Sequence, residues 1–311
     1  MKRKRSHTKI SPLASAIFLA AAILAGTLTA KEDSTTTVNQ TDKKMLENGR
    51  TEEGEMEVHF LDIGQGDSSL VMCGEHAMLI DAGDNDKGTA VQLYLKKRGI
   101  QKLDYLVLTH PDADHIGGAD VVLTKFPVET VFQSAFETDT KSYRDVEDAL
   151  AYRSIKAQVP QPGDSYQLGD AYFTFVSPNA DYEDANNSSL ALLLQYGETK
   201  FLFTGDCEEQ AEYDILNCGI NIQADVYQTG HHGSRTASSQ SFMDAVNPTY
   251  AVISCGEGND YGHPHAEVLN RFRTMGIQVF RTDEQGSIIA YSDGQSITWN
   301  CAPSETWQVG E

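Results

Sequence analysis

Short apolar runs separated by amphipathic stretches recur along almost the whole chain after residue 55, and this alternation constrains the fold more than any other feature. "EVHFLDIG", "SSLVMCG" and "HAMLIDAG" read as three successive strands joined by glycine-containing turns. "GTAVQLYLKKRG" changes to helical spacing, with Gly99 placed to end the helix. "LDYLVLTH" then reads as a strand, "GGADVVLTKF" as a helix, "VETVFQS" as a short strand and "YRDVEDALAYR" as a helix. The second half repeats the style. Strands "AYFTFVSP", "SSLALLLQYG" and "KFLFTGD" lead to a helix at "EEQAEYDILNCG". Strand "ADVYQTG", a helix from Ser238 to Asn247, strand "YAVISCG" and helix "AEVLNRFRTMG" follow, then strands "QVFRT", "SIIAYS" and "SITWN". Two β-rich halves, each followed by helices, predict an α/β fold: two sheets packed together with helices outside, a four-layer αβ/βα sandwich. There is no short-period repeat of the solenoid or propeller kind.

The N-terminus stands apart from this pattern. "MKRKRSHTK" is a basic leader, Pro12 to Gly26 is an apolar segment, and "TLTA" offers small residues for cleavage after Ala30. Residues 1–30 are therefore expected to be a signal peptide, with an uncleaved anchor as the rival reading. Residues 31–55 are polar and lack an apolar period, as a disordered linker does. Residues 56–311 are left as one large domain. The formal net charge of −21 favours solubility and argues against loose adhesion to nucleic acid or anionic membrane, without excluding a local site built around cations. The five cysteines form no CxxC pair; buried free thiols are expected, and a Cys207–Cys218 bridge stays open.

Of nine histidines, six fall into three tight pairs: His110 with His115, His231 with His232, and His263 with His265. Each pair follows an apolar strand-like run or its short loop, where side chains can converge on one rim of a sheet. In "LTHPDADHIGG", alternation would aim His110, Asp112 and Asp114 in a similar direction, and the turn at Ile116-Gly117-Gly118 would swing His115 round to them. Imidazole and carboxylate at that density suit Zn²⁺ or Mn²⁺. The rival reading is a charged turn with an Asp capping the helix.

"THPDADH" resembles the metallo-β-lactamase-superfamily signature Thr-His-x-His-x-Asp-His, with Asp112 in the place of the second histidine. "LIDAG" resembles the superfamily's first Asp motif, whose Asp81 would orient the site. "FLFTGD" resembles the strand whose terminal Asp206 would bridge two metal ions. Together with "LDIGQGDS", "TGHHGS" and "GHPHAEVL", the set is similar to the extracellular hydrolase domain of the ComEC competence proteins, over about residues 56 to 300. The resemblance implies a metallo-β-lactamase sandwich and two divalent metal ions, Zn or Mn. His110, Asp112 and Asp206 would hold one; Asp114, His115, Asp206 and His263 the other. It implies His231 as general acid or phosphate contact, with His232 the alternative there or a supporting partner of the site, and His265 the alternative to His263 as ligand. Asn186 or Asn187 occupies the neighbourhood of a histidine usual in the superfamily and absent here, where an amide would be a weak ligand or an ordinary turn. Carboxylate for imidazole at position 112 moves preference from Zn²⁺ towards Mn²⁺.

A two-metal site can supply a metal-bound hydroxide and clamp both oxygens of an in-line displacement. That suits a phosphodiester, with Ser234, Arg235 and glycine amides as further phosphate contacts or as a polar loop ahead of a helix. Asp62 and Asp67 read as turn and network residues, with Gly64 and Gly66 permitting tight backbone. The leading expectation is a secreted, extracellular or surface-held phosphodiesterase or nuclease acting on DNA, single-stranded DNA included. No segment after residue 30 is long and apolar enough to span a membrane, and no partner protein is identifiable. Alternatives are hydrolysis of small phosphodiesters or phosphocholine esters, hydrolysis of a lactam or lactone, and a non-catalytic metal-binding accessory of DNA uptake.

Overall fold

The computed structural model describes residues 55–310; the expected signal peptide and all but the last residue of the expected linker lie outside the described residues. The first half runs β1 (Met56–Phe60), β2 (Ser69–Cys73), β3 (His76–Ile80), α1 (Gly88–Lys97), β4 (Leu103–Leu108), α2 (Ala113–Ile116), α3 (Ala119–Lys125), β5 (Val128–Gln133) and α4 (Lys141–Arg153). The second half runs β6 (Ser165–Leu168), β7 (Ala171–Ser177), β8 (Ala191–Tyr196), β9 (Thr199–Phe203), α5 (Glu209–Asn217), β10 (Val226–Gln228), α6 (Gln240–Val246), β11 (Tyr250–Ile253), α7 (Ala266–Met275) and β12 (Gln278–Arg281). A short α8 (Thr282–Gln285) precedes β13 (Ile288–Ser292) and β14 (Ile297–Trp299). The predicted helix at "GGADVVLTKF" is thus preceded by a separate turn of helix, α2. The short, partly exposed β6 and the four-residue α8 carried no signal in the sequence.

Two seven-stranded sheets form, in the orders β14-β13-β1-β2-β3-β4-β5 and β12-β11-β10-β9-β8-β7-β6. Both are antiparallel at one end and parallel at the other: β3, β4 and β5 run parallel, as do β9, β10, β11 and β12. Strands β13 and β14 cross back to the first sheet, β13 pairing with β1 from Met56↔Ser292 to Phe60↔Ile288.

Alternation along the strands sorts the side chains into three apolar layers. Val58, Phe60, Val71, Ile80 and Phe132 face Phe173, Phe175, Leu192, Leu194 and Phe203 between the sheets. On the outer face of the first sheet, Leu70, Leu79, Leu106 and Val131 meet Val91 and Leu95 of α1, Val122 of α3 and Val146 of α4. On that of the second, Leu202, Tyr227 and Ile253 meet Ile215 of α5, Phe242 of α6 and Phe272 of α7. The fold is therefore the expected four-layer αβ/βα sandwich. Helix ends follow local chemistry: the Thr140 and Ser239 hydroxyls accept from the N–H groups of Tyr143 and Phe242, and Gly276 ends α7 at a φ of 73°. All five cysteines are free, with Cys73, Cys207 and Cys255 buried. Among the described residues no helix is long and apolar enough to cross a membrane.

Phe132 is fully buried and packs against Tyr105, Tyr166, Phe173 and Phe175. Phe132→Ala is expected to cost about 3–5 kcal/mol, read as a lowered midpoint in denaturant unfolding.

Candidate metal centre

Strands β1, β3, β4, β9, β10 and β11 all release their C-terminal ends at one edge of the sandwich, and the polar loops that follow them meet there. Asp81 directly follows β3 in a left-handed conformation (φ 57°), which Asp tolerates better than most residues. Its Oδ1 accepts from the Thr109 backbone N–H (2.8 Å), and its Oδ2 from the Thr109 hydroxyl (2.7 Å) and His115 Nδ1 (2.8 Å). One buried carboxylate thereby fastens the end of β3 to the turn after β4 and fixes the orientation of an imidazole.

Two further turns complete the site. Gly66 (φ 130°) lies so close to α2 that a Cβ there would meet the Asp114 carbonyl oxygen at 2.3 Å. The next residue, Asp67, donates its backbone N–H to that same carbonyl (3.1 Å) and is carried into the site. After β10, His231 and His232 both take left-handed backbone (φ 48° and 52°) within a 3₁₀ turn, Gly230–Gly233. Such conformations cost on the order of 1–3 kcal/mol each and persist where surroundings enforce them. Here the His231 N–H donates to the Gly205 carbonyl (3.1 Å), and the His265 N–H to the Gly233 carbonyl (2.9 Å).

Asp206 is at the centre. Its Oδ1 is 3.2 Å from His115 Nε2, and its Oδ2 lies 3.6 Å from His232 Nε2 and 3.7 Å from both His110 Nε2 and His231 Nε2. His232 Nε2 is also 3.3 Å from Asp114 Oδ2 and 3.2 Å from His115 Nε2. Donor atoms of Asp67, His115, Asp206 and His232 all lie within 4.8 Å of one another, and all four residues are buried. His115 gives its Nδ1 proton to Asp81, and His232 its Nδ1 proton to the Ser254 carbonyl (2.9 Å). In their neutral forms both imidazoles therefore aim Nε2 lone pairs at each other and at carboxylates. Both Asp67 oxygens and His110 Nε2 are buried without a hydrogen-bond partner. Buried lone pairs converging without donors fit a divalent cation, and two imidazoles among carboxylates suit Zn²⁺ or Mn²⁺.

Protons act as counter-ions when no cation is bound. Burial pulls His232 down, but Asp206, Asp114 and Asp67 raise it to about 9; against the same burial, Asp206 and Asp81 raise His115 well above its ordinary value. Asp206 and Asp114 are held low despite burial by the histidines around them. Burial lowers His110 to about 4 and His263 to about 3, in both cases helped by neighbouring imidazoles.

The residues singled out in the sequence distribute as follows. His110, Asp114, His115, His232 and Asp206 come together. Asp112 sits at the mouth, its side chain 49% exposed and 3.8 Å from His110 Nε2. It stands at the N-cap position of α2 and makes no side-chain hydrogen bond to the helix. Asp67, read from sequence as a turn or network residue, is in the cluster; its flanking Gly66 marked a tight turn, and the closure of that turn on α2 is what brings the carboxylate in. His263 is outside the group of four: its ring packs beside His231 and His232 (centroids 5.5 and 6.1 Å) with Nδ1 unpartnered. His231 faces Asp206 with Nε2 and Glu208 Oε1 with Nδ1 (3.1 Å), and the Thr236 hydroxyl also donates to Glu208 (2.8 Å). Glu208 escaped the sequence reading. Asn187 is engaged elsewhere, donating to Asp184 and accepting from the Glu208 and Ala211 N–H groups at the start of α5. Asn186 is half-buried in the same turn. Ser234 is buried against Thr236 (2.9 Å), Asp62 is exposed and Arg235 is exposed at the rim.

Residues 61–257 match the family described as the metallo-beta-lactamase superfamily, and the chain belongs to it; its members are generally metal-dependent hydrolases. The chain is 36% identical over 254 residues to ComE operon protein 3 of Bacillus subtilis (strain 168), covering 75% of this chain and 33% of that protein. It is 32% identical over 238 residues to Competence protein ComA of Neisseria gonorrhoeae, covering 76% of this chain and 32% of that protein. The chain thus spans about a third of the length of these relatives. Among solved structures, the metallo-beta-lactamase fold protein YhfI from Bacillus subtilis shares the fold, with a TM-score of 0.50 at 13% identity over 79% of this chain and 100% of that one.

Two outcomes are expected. Asp81→Asn, which keeps the left-handed turn but removes the charged acceptor from His115, should weaken divalent-cation affinity about 10- to 100-fold in a chelator competition. A histidine raised in the folded state stabilises fully below its ordinary value and loses that contribution as pH rises through its folded value. The melting temperature of the metal-free chain should therefore fall as pH rises through about 9. Saturating cation, which replaces those protons, should abolish the fall.

Proposed function

We propose that this chain is an exported metal-dependent phosphodiesterase, a nuclease acting on extracellular DNA, and that residues 56–311 are its hydrolase domain. The observation that carries the reading is the convergence of three imidazoles on Asp206, His115 Nε2 at Oδ1 and His232 and His110 Nε2 at Oδ2. His110, Asp112 and Asp206 would hold one cation; Asp67, Asp114, His115, His232 and Asp206 would hold another. Bound there, divalent cations neutralise a phosphodiester's charge and make water a nucleophile near neutral pH. His231 stands to one side, 22% exposed, and is the general acid: with Nδ1 against Glu208, Nε2 is the atom that gives its proton to the leaving alkoxide. His263, at van der Waals range of that ring, limits its motion. Competence proteins among the relatives support DNA as the substrate.

A second reading, hydrolysis of small phosphodiesters or phosphocholine esters, is favoured by the net charge of −21, which repels a polyanion away from the local site. The deciding experiment strips the chain of metal, resupplies Mn²⁺ or Zn²⁺, and follows single-stranded DNA, bis-nitrophenyl phosphate and nitrophenyl phosphocholine. Cation-dependent cleavage of DNA is expected, reduced at least about 100-fold in Asp114→Ala. Cleavage of the small esters alone transfers the assignment to the second reading, and no cleavage of any of the three makes the chain a binding protein.

A further inference from the structure

Tyr261, in the loop between β11 and α7, is 64% exposed, yet its ring is not loose. It lies nearly parallel to the ring of buried His263, with centroids 5.6 Å apart and 19° between planes. His263 in turn packs edge-on against His231 and His265. One face of the tyrosine is therefore backed by the histidine group of the metal centre, and the other is open to solvent. The loop is held from within by Asn259, itself buried. Asn259 Nδ2 donates to the carbonyls of Gly256 (2.9 Å) and His263 (2.7 Å). Its Oδ1 accepts from the N–H groups of Tyr261 (3.2 Å) and His263 (3.0 Å). The C-terminal tail braces the same loop, the Gly310 N–H donating to the Pro264 carbonyl (3.1 Å). Single exposed aromatics are ordinary on a protein surface. Tyr152, Tyr172 and Tyr213 are of that kind, whereas Tyr261, among the described residues, is the exposed tyrosine stacked on a histidine of the site.

We propose that Tyr261 is the platform on which a nucleobase of a single-stranded substrate stacks, beside the phosphodiester being cleaved. The inference rests on the nuclease reading above and gives that site its means of gripping a strand. A flat ring with one face free and its position already fixed suits a flat π-system of any base, and little ordering remains to be done on binding. A quaternary ammonium group is better served by several aromatic walls around it; here there is one. Arg235, exposed on the same rim with its backbone N–H on His265 Nδ1 (3.1 Å), adds a cation for the neighbouring phosphate in an otherwise acidic chain.

The test uses the full chain loaded with Mn²⁺ and a single-stranded oligonucleotide in which each nucleotide in turn is made abasic. In the unaltered protein, one abasic position next to the cut is expected to lower kcat/KM roughly 5- to 150-fold. Tyr261→Ala should lose a similar factor on the intact oligonucleotide and show almost no further penalty at that position. Tyr261→Phe should keep the penalty, which separates lost stacking from a disturbed loop. The same abasic penalty in Tyr261→Ala as in the parent, or a loss confined to nitrophenyl phosphocholine, overturns the platform while leaving the nuclease in place. No cleavage of any oligonucleotide by the parent chain removes both.

Discussion

Asp206 is 3% exposed and surrounded at under 4 Å by four imidazoles, with Asp114 and Asp67 both converging on one of them, His232. Several carboxylates cannot stay ionised in so small a buried volume without compensating positive charge. That requirement explains much of what surrounds them. The Thr109 and His115 hydrogen bonds to Asp81, the left-handed turn of Gly230–Gly233, and the Gly66 contact with α2 are all local arrangements that are costly or demanding alone. Each is maintained because it delivers a donor atom to the same point. The two sheets supply the rigidity: their facing layers of Phe and Leu leave the strand ends little freedom to separate.

The site is assembled from both halves of the chain. Asp67 and, on α2, Asp114 and His115 come from connections of the first sheet; Asp206 and, in the 3₁₀ turn, His232 come from connections of the second. Neither sheet alone assembles the cluster, so the packing of Phe60 on Phe203 and of Phe132 on Phe175 is also what sets the spacing of the candidate ligands. Core stability and metal affinity are for this reason coupled quantities. A substitution well inside the sandwich can act on the centre without touching it.

Most of the architecture was legible because strands buried on both faces are written as continuous apolar runs, and helices as runs of period 3.6. The return of β13 and β14 to the first sheet was not, since "SIIAYS" and "SITWN" specify strands but not which edge they join. The same distinction holds at the site. The density of His and Asp in "THPDADH" announced its chemistry, and the strand ends announced its location. Which member of "HHG" turns inward depends on two consecutive left-handed residues, a property of tertiary contacts to Gly205 and Pro264 rather than of local pattern. Asp67 lay just as deep: its flanking Gly66 declared a tight turn, but only the approach of that turn to Asp114 makes the neighbouring carboxylate a ligand candidate.

The register of β1 has a directional consequence. Met56, at the start of that strand, pairs with Ser292 at the end of the sheet remote from the loops that carry Asp67, Asp81 and His110, whereas the described C-terminus folds back to Pro264 beside the histidines. Any attachment made ahead of Met56 therefore pulls on the blind side of the sandwich. A molecule held from that end would turn the edge that carries the Asp206 cluster away from its point of attachment, with its tail already folded along the rim.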